Sequence, residues 1–483
     1  MRSPALRKSS MGDVCAMRVF TRKLLPCRQI ESYSVIHLGE RKVFLNPSGT
    51  GIWNLIDGEK TTDEIALDVA QQLNAPAEKV AGKVTTFLES LYERGLLWLV
   101  QDDGRLRGIS TAPTRTAEAL VDSDVSAPPA VPDLRPVQEI CMTPKFATGQ
   151  ASSVEDQVNQ LYWERHYIQK MHVELTYRCN FRCVHCYNTT HGGAATELTT
   201  EEWFDAFDQL ADMGCNLLTL TGGELFVRKD VVPIIQHACD RQFALRLNTN
   251  GSLIDEKMLE KLEPMRPFLQ SFDVSFYGAD EKVHDTLAQR PGSYNNTMRA
   301  IRLLSEAKHN LVAKFVTMRD NFDGIDKFTD DMNRLGIRYV VHTGSVIPQT
   351  DRNAKPLVQI LTDAQYRKLV LSHGSVKHSS PGTCKPGHVR GAITPDGHIS
   401  PCEWLTDFKY GNLREQSLRD IWYSSGFLEF RKVFEEESEC PPCSLRPGCD
   451  RCPAHSYLET GSLLKCAPIQ RHNAEIFQEV VGV

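Results

Sequence analysis

Strand and helix signals that alternate from Met171 to about Gly344 predict an α/β protein built on a parallel sheet curled into a partial (β/α)6 barrel of TIM type. Two further observations complete the picture: a compact α+β stretch before residue 101, and closely spaced cysteines after residue 380. A length of 483 residues accommodates several domains, and 41% hydrophobic with 24% charged residues describes a globular chain. The net charge of −6 gives no electrostatic reason to expect nucleic acid or an anionic membrane as partner. No signal peptide or transmembrane span is legible, so the fifteen cysteines point to the reducing cytoplasm and to metal or redox roles.

The first domain is expected over 18–101. Residues 35–38 and 42–45 read as strands around Gly39-Glu40, either of them a candidate sheet edge. Thr61 and Glu64 form a capping box that opens a helix carrying Ile65, Val69 and Leu73. A second helix carries Val80, Val84, Phe87, Leu88 and Leu91, ends at Gly95, and returns as a strand over 96–100. This order suggests a winged-helix-like arrangement. Residues 102–157 are rich in Pro, Ala, Ser and Thr and read as a flexible linker. A helix over about 154–170 leads into the barrel, expected over 158–345.

Its six strands are predicted at 171–176, 216–221, 243–248, 270–276, 311–317 and 338–343, with helices near 206, 234, 258, 300 and 329. A connecting segment (346–379), a cysteine-rich domain (380–470) and a helix (471–483) close the chain.

In such barrels the chemistry sits in loops leaving the carboxyl ends of strands. The loop after the first strand carries Cys179, Cys183 and Cys186, a CxxxCxxC run followed by Tyr187. Three thiolates so close can hold one soft-metal object and leave a four-iron cluster with one iron unligated. The second strand ends in Thr221-Gly222-Gly223-Glu224: paired glycines admit a ligand to the backbone, and the carboxylate suits a cationic amine. Asn250 after the third strand offers polar groups to a ribose, while Ser275 and Arg290 after the fourth could hold a carboxylate. The alternative is a zinc site completed by His185 or His191.

These motifs resemble the radical S-adenosylmethionine (SAM) enzymes. The resemblance implies a [4Fe-4S] cluster on Cys179, Cys183 and Cys186 whose free iron chelates SAM, with Tyr187, Gly222, Gly223, Glu224, Asn250, Ser275 and Arg290 as SAM contacts. It implies a 5′-deoxyadenosyl radical that abstracts a substrate hydrogen, and an electron donor such as flavodoxin or ferredoxin. Leu225 stands where many relatives have proline.

Cys384, Gly397 and Cys402, then Cys440, Cys443, Cys449, Cys452 and Cys466, resemble the SPASM extension with two auxiliary iron–sulfur clusters, supported by Gly411-Asn412-Leu413 and Leu418 to Trp422. In all, three clusters are implied. The interlaced ligation of relatives assigns Cys384, Cys402 and Cys452 to the first auxiliary cluster, and Cys440, Cys443, Cys449 and Cys466 to the second. The first is then one ligand short: His388 or His398 completes it, or an iron stays open to a substrate thiolate. Two zinc sites are the alternative reading.

Residues 22–94 hold nine Lys or Arg against ten Asp or Glu, which leaves no basic face for DNA. Phe44-Leu45-Asn46, Ile52 through Gly58, and Phe87-Leu88 to Leu97 instead resemble the PqqD-like recognition element that binds leader peptides by strand addition. Together the resemblances imply a maturase that cross-links a ribosomally made precursor peptide. A cysteine thioether is the preferred product and a carbon–carbon link the close alternative. The rival readings are formylglycine formation on a sulfatase, and a zinc-bound peptide adaptor without catalysis. No residue is singled out as catalytic acid or base.

Overall fold

The structure, a computed structural model, describes residues 18–39, 41–101, 104–108, 153–189, 196–342, 346–373, 386–435, 443–445, 449 and 452–482. It divides into two compact units, Met1–Leu161 and Tyr162–Val483. Most of the stretch read as a linker lies outside the described residues, as do His191, Cys384 and Cys440.

The first unit holds β1 (Val19–Arg22), β2 (Cys27–Ile30), β3 (Tyr33–Leu38), β4 (Arg41–Leu45), β5 (Leu97–Val100) and β6 (Leu106–Arg107) in two small sheets, ordered β2-β3-β4 and β1-β5-β6. The capping box forms as read: the Thr61 hydroxyl accepts from the Glu64 amide at 3.3 Å, and the Glu64 carboxylate accepts from the Thr61 amide at 2.8 Å. Val80, Val84, Leu88 and Leu91 of the helix Ala77–Glu93 bury against Ile65, Val69, Trp53 and Phe20. The helix Pro47–Leu55 was not foreseen; the Asn46 side chain caps it by accepting from the Gly49 amide at 2.8 Å. Only one of the two candidate edge stretches is an edge. β3 is paired on both sides, because the short polar segment Cys27–Ile30 joins the sheet as β2; among the described residues β4 pairs along its length with β3 alone.

The second unit is built on β7 (Lys170–Glu174), β8 (Leu217–Thr221), β9 (Ala244–Thr249), β10 (Leu269–Phe276), β11 (Leu311–Val316) and β12 (Arg338–His342). These are the six predicted strands, neighbours in sequence order and all parallel. Helices Thr200–Asp212, Val231–Asp240, Glu256–Leu262, Ser293–Glu306 and Ile325–Arg334 cover one face. They bury Trp203, Phe207, Ile234, Leu262, Ile301 and Phe328 against strand residues such as Leu218, Leu247 and Phe272. A further helix, Glu281–Ala288, is short and polar; Asp280 caps its start and Gln289 ends it at φ +50°.

After β12 the chain returns as β13 (Arg390–Ile393), parallel to β7, with β14 (Ile399–Ser400) antiparallel beyond it. This extension occupies the free edge of β7, so the barrel does not close there. Ile476 and Phe477 of the final helix, Pro468–Val481, pack on Tyr366 and Val370. Among the described residues no helix is long and apolar enough to cross a membrane.

Candidate active site

At the carboxyl ends of the barrel strands lies a cavity of about 270 Å³. Cys179, Cys183, Cys186 and Tyr187 line it together with Gly222, Gly223, Asn250 and Ser275. The cysteine loop contains no helix or strand; neighbours hold it instead. The Arg182 and Val184 amides donate to the Ala288 and Leu287 carbonyls, each at 3.0 Å, and Phe181 packs among Tyr277, Leu287 and Val316. The Phe181 amide donates to Cys179 Sγ at 3.4 Å.

Burial raises all three thiols: Cys186 is pushed to about 12, and Cys183 well above its ordinary value, with the two neighbouring thiols adding to the effect. Without a cation these groups stay neutral, because three thiolates together in a buried loop repel one another. A soft metal would displace their protons. Among the described residues no three His, Cys, Asp or Glu converge on the point a single ion would occupy. Three cysteine sulfurs in one loop are the donor chemistry of an iron–sulfur cluster.

The glycines form the facing wall. Gly222 sits at φ +134°, and a Cβ on it would land on the Thr176 carbonyl; one on Gly223 would meet the carbonyls of Arg178 and Tyr177. The Gly223 and Glu224 amides donate to Thr176 and Arg178 carbonyls at 2.7 and 2.9 Å, tying β8 to the cysteine loop. Glu224 does not line the cavity. Its carboxylate accepts from Thr249 Oγ1 and the Asn250 amide, both at 2.8 Å, and from the Phe226 amide at 3.2 Å. Burial lifts its pKa to about 6 against these bonds. Here Glu224 fixes the turn that presents Asn250. That side chain is held by Asn180 at 2.9 Å and by Ser252 at 2.6 Å. Arg290 is not brought to the cavity; it stands exposed on the turn that follows Gln289.

Several residues in or around the cavity carried no local signal in the sequence. Tyr187 donates from its hydroxyl to Glu174 at 3.1 Å, and burial raises that carboxyl to about 8, so it is protonated at neutral pH. Lys314 pairs with Asp273 at 2.7 Å, and Ser271 holds the other Asp273 oxygen at 2.8 Å. Glu403 and Trp404, which follow Cys402, also line the cavity. Burial opposes ionisation of Glu403, but Arg390 at 2.6 Å overrides it and holds the carboxyl well below its usual range.

Cys402 is buried in one apolar cluster with Phe430 and Ala454, against which Cys452 packs. Cys452 precedes the first turn of the helix Pro453–Thr460. Cys443 and Cys466 both lie near Arg471, and Cys449 lies near Tyr366. His388 stacks flat on Trp163 at 4.4 Å, and His398 stands 3.7 Å from Asp396. His455, unremarked in the sequence, lies edge-on to Trp404 at 5.4 Å.

Three family models match the chain: the radical SAM superfamily over residues 173–354, coenzyme PQQ synthesis protein D (PqqD) over 35–97, and the SPASM iron–sulfur cluster-binding domain over 384–453. A PqqA peptide cyclase of Granulibacter bethesdensis is 28% identical over 60% of this chain and 83% of its own length. An AdoMet-dependent heme synthase of Methanosarcina barkeri is 28% identical over 61% and 94%. SuiB of Streptococcus suis, solved with its precursor peptide SuiA, shares the fold: TM-score 0.51 at 13% identity, covering 93% of this chain and 98% of that one. The chain thus carries a radical SAM domain, joined to a PqqD-like domain and a SPASM domain, and works with S-adenosylmethionine and iron–sulfur clusters.

Proposed function

We propose that the protein is a peptide maturase that installs a cross-link, with a cysteine thioether as the preferred product, in a ribosomally made precursor. One observation carries the reading: a single cavity runs from Cys179, Cys183 and Cys186 to Glu403 and Trp404, the two residues that follow Cys402. The site that starts the reaction and the domain that would accept an electron thus share one chamber.

On this reading Cys179, Cys183 and Cys186 hold the SAM-binding cluster. Gly222, Gly223, Asn250, Ser275 and Tyr187 form the wall against SAM, and Glu224 supports that wall through Asn250. Bound SAM and its cluster supply a radical able to take a hydrogen atom from the substrate. The balance for a thioether is simple. A C–H and an S–H bond are lost and a C–S bond forms; one hydrogen leaves as an atom, the other as a proton with an electron. Glu403, held ionised by Arg390, places a fixed negative charge on the SPASM side of the cavity, and the proton leaves to solvent. Cys384, Cys402 and Cys452 are assigned to one auxiliary cluster and Cys440, Cys443, Cys449 and Cys466 to the other. The shared apolar cluster of Cys402 and Cys452 supports that partition. An iron of the first cluster left open to a substrate thiolate would favour sulfur chemistry. A flavodoxin or ferredoxin is the proposed electron donor.

The PqqD match supports capture of the precursor's leader on the open edge of β4, which would raise the local concentration of the peptide. A carbon–carbon cross-link is the second reading; the likeness to a PqqA peptide cyclase favours ring closure within a peptide, by either kind of bond. The test is to incubate the reduced enzyme and SAM with peptides encoded beside its gene, then fragment the products by mass spectrometry. Loss of two hydrogens with the link mapped to a cysteine sulfur supports the thioether. A product linked through two carbons supports the second reading, and a product of unchanged mass contradicts both.

A further inference from the structure

The cysteine loop leaves consecutive carbonyls without helix or strand partners, and one distant segment satisfies three of them. The Gln349 side-chain amide donates to the Cys186 carbonyl at 3.3 Å and to the Asn188 carbonyl at 3.1 Å. Between them, the Thr350 amide donates to the Tyr187 carbonyl at 3.0 Å. Two residues therefore tie down the backbone from the third cysteine through the aromatic that lines the cavity. The amide orientation follows from the chemistry: turned over, the Gln349 oxygen would face two carbonyl oxygens.

The clamp is itself stiffened. The Gln349 amide donates to the Asn353 carbonyl at 2.9 Å, and the Arg352 amide returns to the Gln349 carbonyl at 2.7 Å, with Arg352 at φ +68°. The Arg352 guanidinium then lies 5.8 Å from the Tyr457 ring centre, on the helix that starts just after Cys452. A turn of five residues thus touches the cysteine loop on one side and the SPASM helix on the other.

We propose that Gln349 is a positioning residue for the SAM-binding cluster, holding the 186–188 backbone so that Cys186 and Tyr187 keep their places against SAM. This rests on the proposed ligation by Cys179, Cys183 and Cys186. Potentials and reactivity of iron–sulfur clusters follow the dipoles and hydrogen bonds of the enclosing loop, so a loosened loop is read first in the cluster and in SAM affinity.

The experiment compares the reconstituted wild-type protein with Gln349→Ala and Gln349→Glu. It records the electron paramagnetic resonance spectrum of the reduced clusters while SAM is added. Loss of the clamp is expected to weaken SAM binding about tenfold in Gln349→Ala, the scale of one or two hydrogen bonds. The loss should be greater in Gln349→Glu, where a carboxylate meets two carbonyl oxygens. KM for SAM should rise more than kcat falls, and the auxiliary-cluster signals should not move. SAM titrations that match wild type in both variants overturn the proposal, as does a Glu variant that binds as well as the Ala variant. If Gln349→Glu does not take up iron, Gln349→Asn replaces it, with SAM affinity at or below that of Gln349→Ala expected and wild-type affinity overturning the proposal. A Cys186→Ala protein keeps the two failures apart: a SAM-responsive signal that survives there contradicts the ligand assignment itself, whereas its loss there beside wild-type titrations in the Gln349 variants contradicts only the part given to Gln349.

Discussion

The Tyr187 hydroxyl donates to Glu174 at 3.1 Å, so the aromatic that follows the last cysteine of the CxxxCxxC run is fastened to the end of β7 by a buried, protonated carboxyl. The bond joins the cysteine loop to a strand that is paired on both sides within the parallel sheet. It also makes stability depend on pH. Burial raises Glu174 to about 8 in the fold, whereas the unfolded carboxyl titrates near 4.5. Between those values the unfolded chain has already lost the proton that the folded one keeps. Stability therefore falls as pH rises through that window. Glu174→Gln keeps the bond without a titrating group, so its melting temperature should change less than wild type between pH 5 and 8. Thermal melts of the cluster-free protein check this; parallel profiles would count against it.

Gly223 has no room for a side chain, because a Cβ would strike the backbone carbonyls of Arg178 and Tyr177. Gly223→Ala must push β8 away from the cysteine loop. It should cost about 1–3 kcal/mol, the usual scale of overpacking, and lower SAM affinity. Calorimetric titration with SAM, set beside a denaturant melt, measures both effects.

Arg390 and Glu403 pair at 2.6 Å, with each side chain 16% exposed. Arg390→Ala leaves a carboxylate in place without its partner, which typically costs about 3–5 kcal/mol. Adding Glu403→Gln should recover part of that loss, and a double-mutant cycle in denaturant reads the coupling. Additive losses would mean the pair contributes nothing to the SPASM side of the cavity.

The iron content offers a coarser check. Three four-iron clusters amount to about twelve irons per chain. Replacing Cys179, Cys183 and Cys186 together with alanine should remove about four and abolish 5′-deoxyadenosine formation. Iron analysis and chromatography of the reaction mixture decide it.

Local spacing made the cysteine run, the paired glycines and the six strands readable, because each is a short stretch whose residues meet their neighbours in the chain. Contacts across the fold were not readable. Lys314 with Asp273, Arg390 with Glu403, and Gln349 with the 186–188 carbonyls join residues whose partners lie on separate elements. The expectation that Arg290 reaches the cavity rested on its place after the fourth strand. The helix Glu281–Ala288, too polar and short to announce itself, intervenes and turns Arg290 outward after Gln289. The GGE motif marks Glu224, but not its three hydrogen bonds from Thr249, Asn250 and Phe226, which come in part from another strand end. The edge of the first sheet went half-read, since a strand as short as Cys27–Ile30 has no alternating pattern to betray it.

The most direct test of the account follows a precursor peptide with deuterium at the carbon to be linked. One enzyme turnover should move that deuterium into 5′-deoxyadenosine and give a peptide that has lost it together with a cysteine S–H hydrogen, one 5′-deoxyadenosine per link. Unlabelled 5′-deoxyadenosine, or a peptide that keeps its deuterium and its free thiol, would contradict the account.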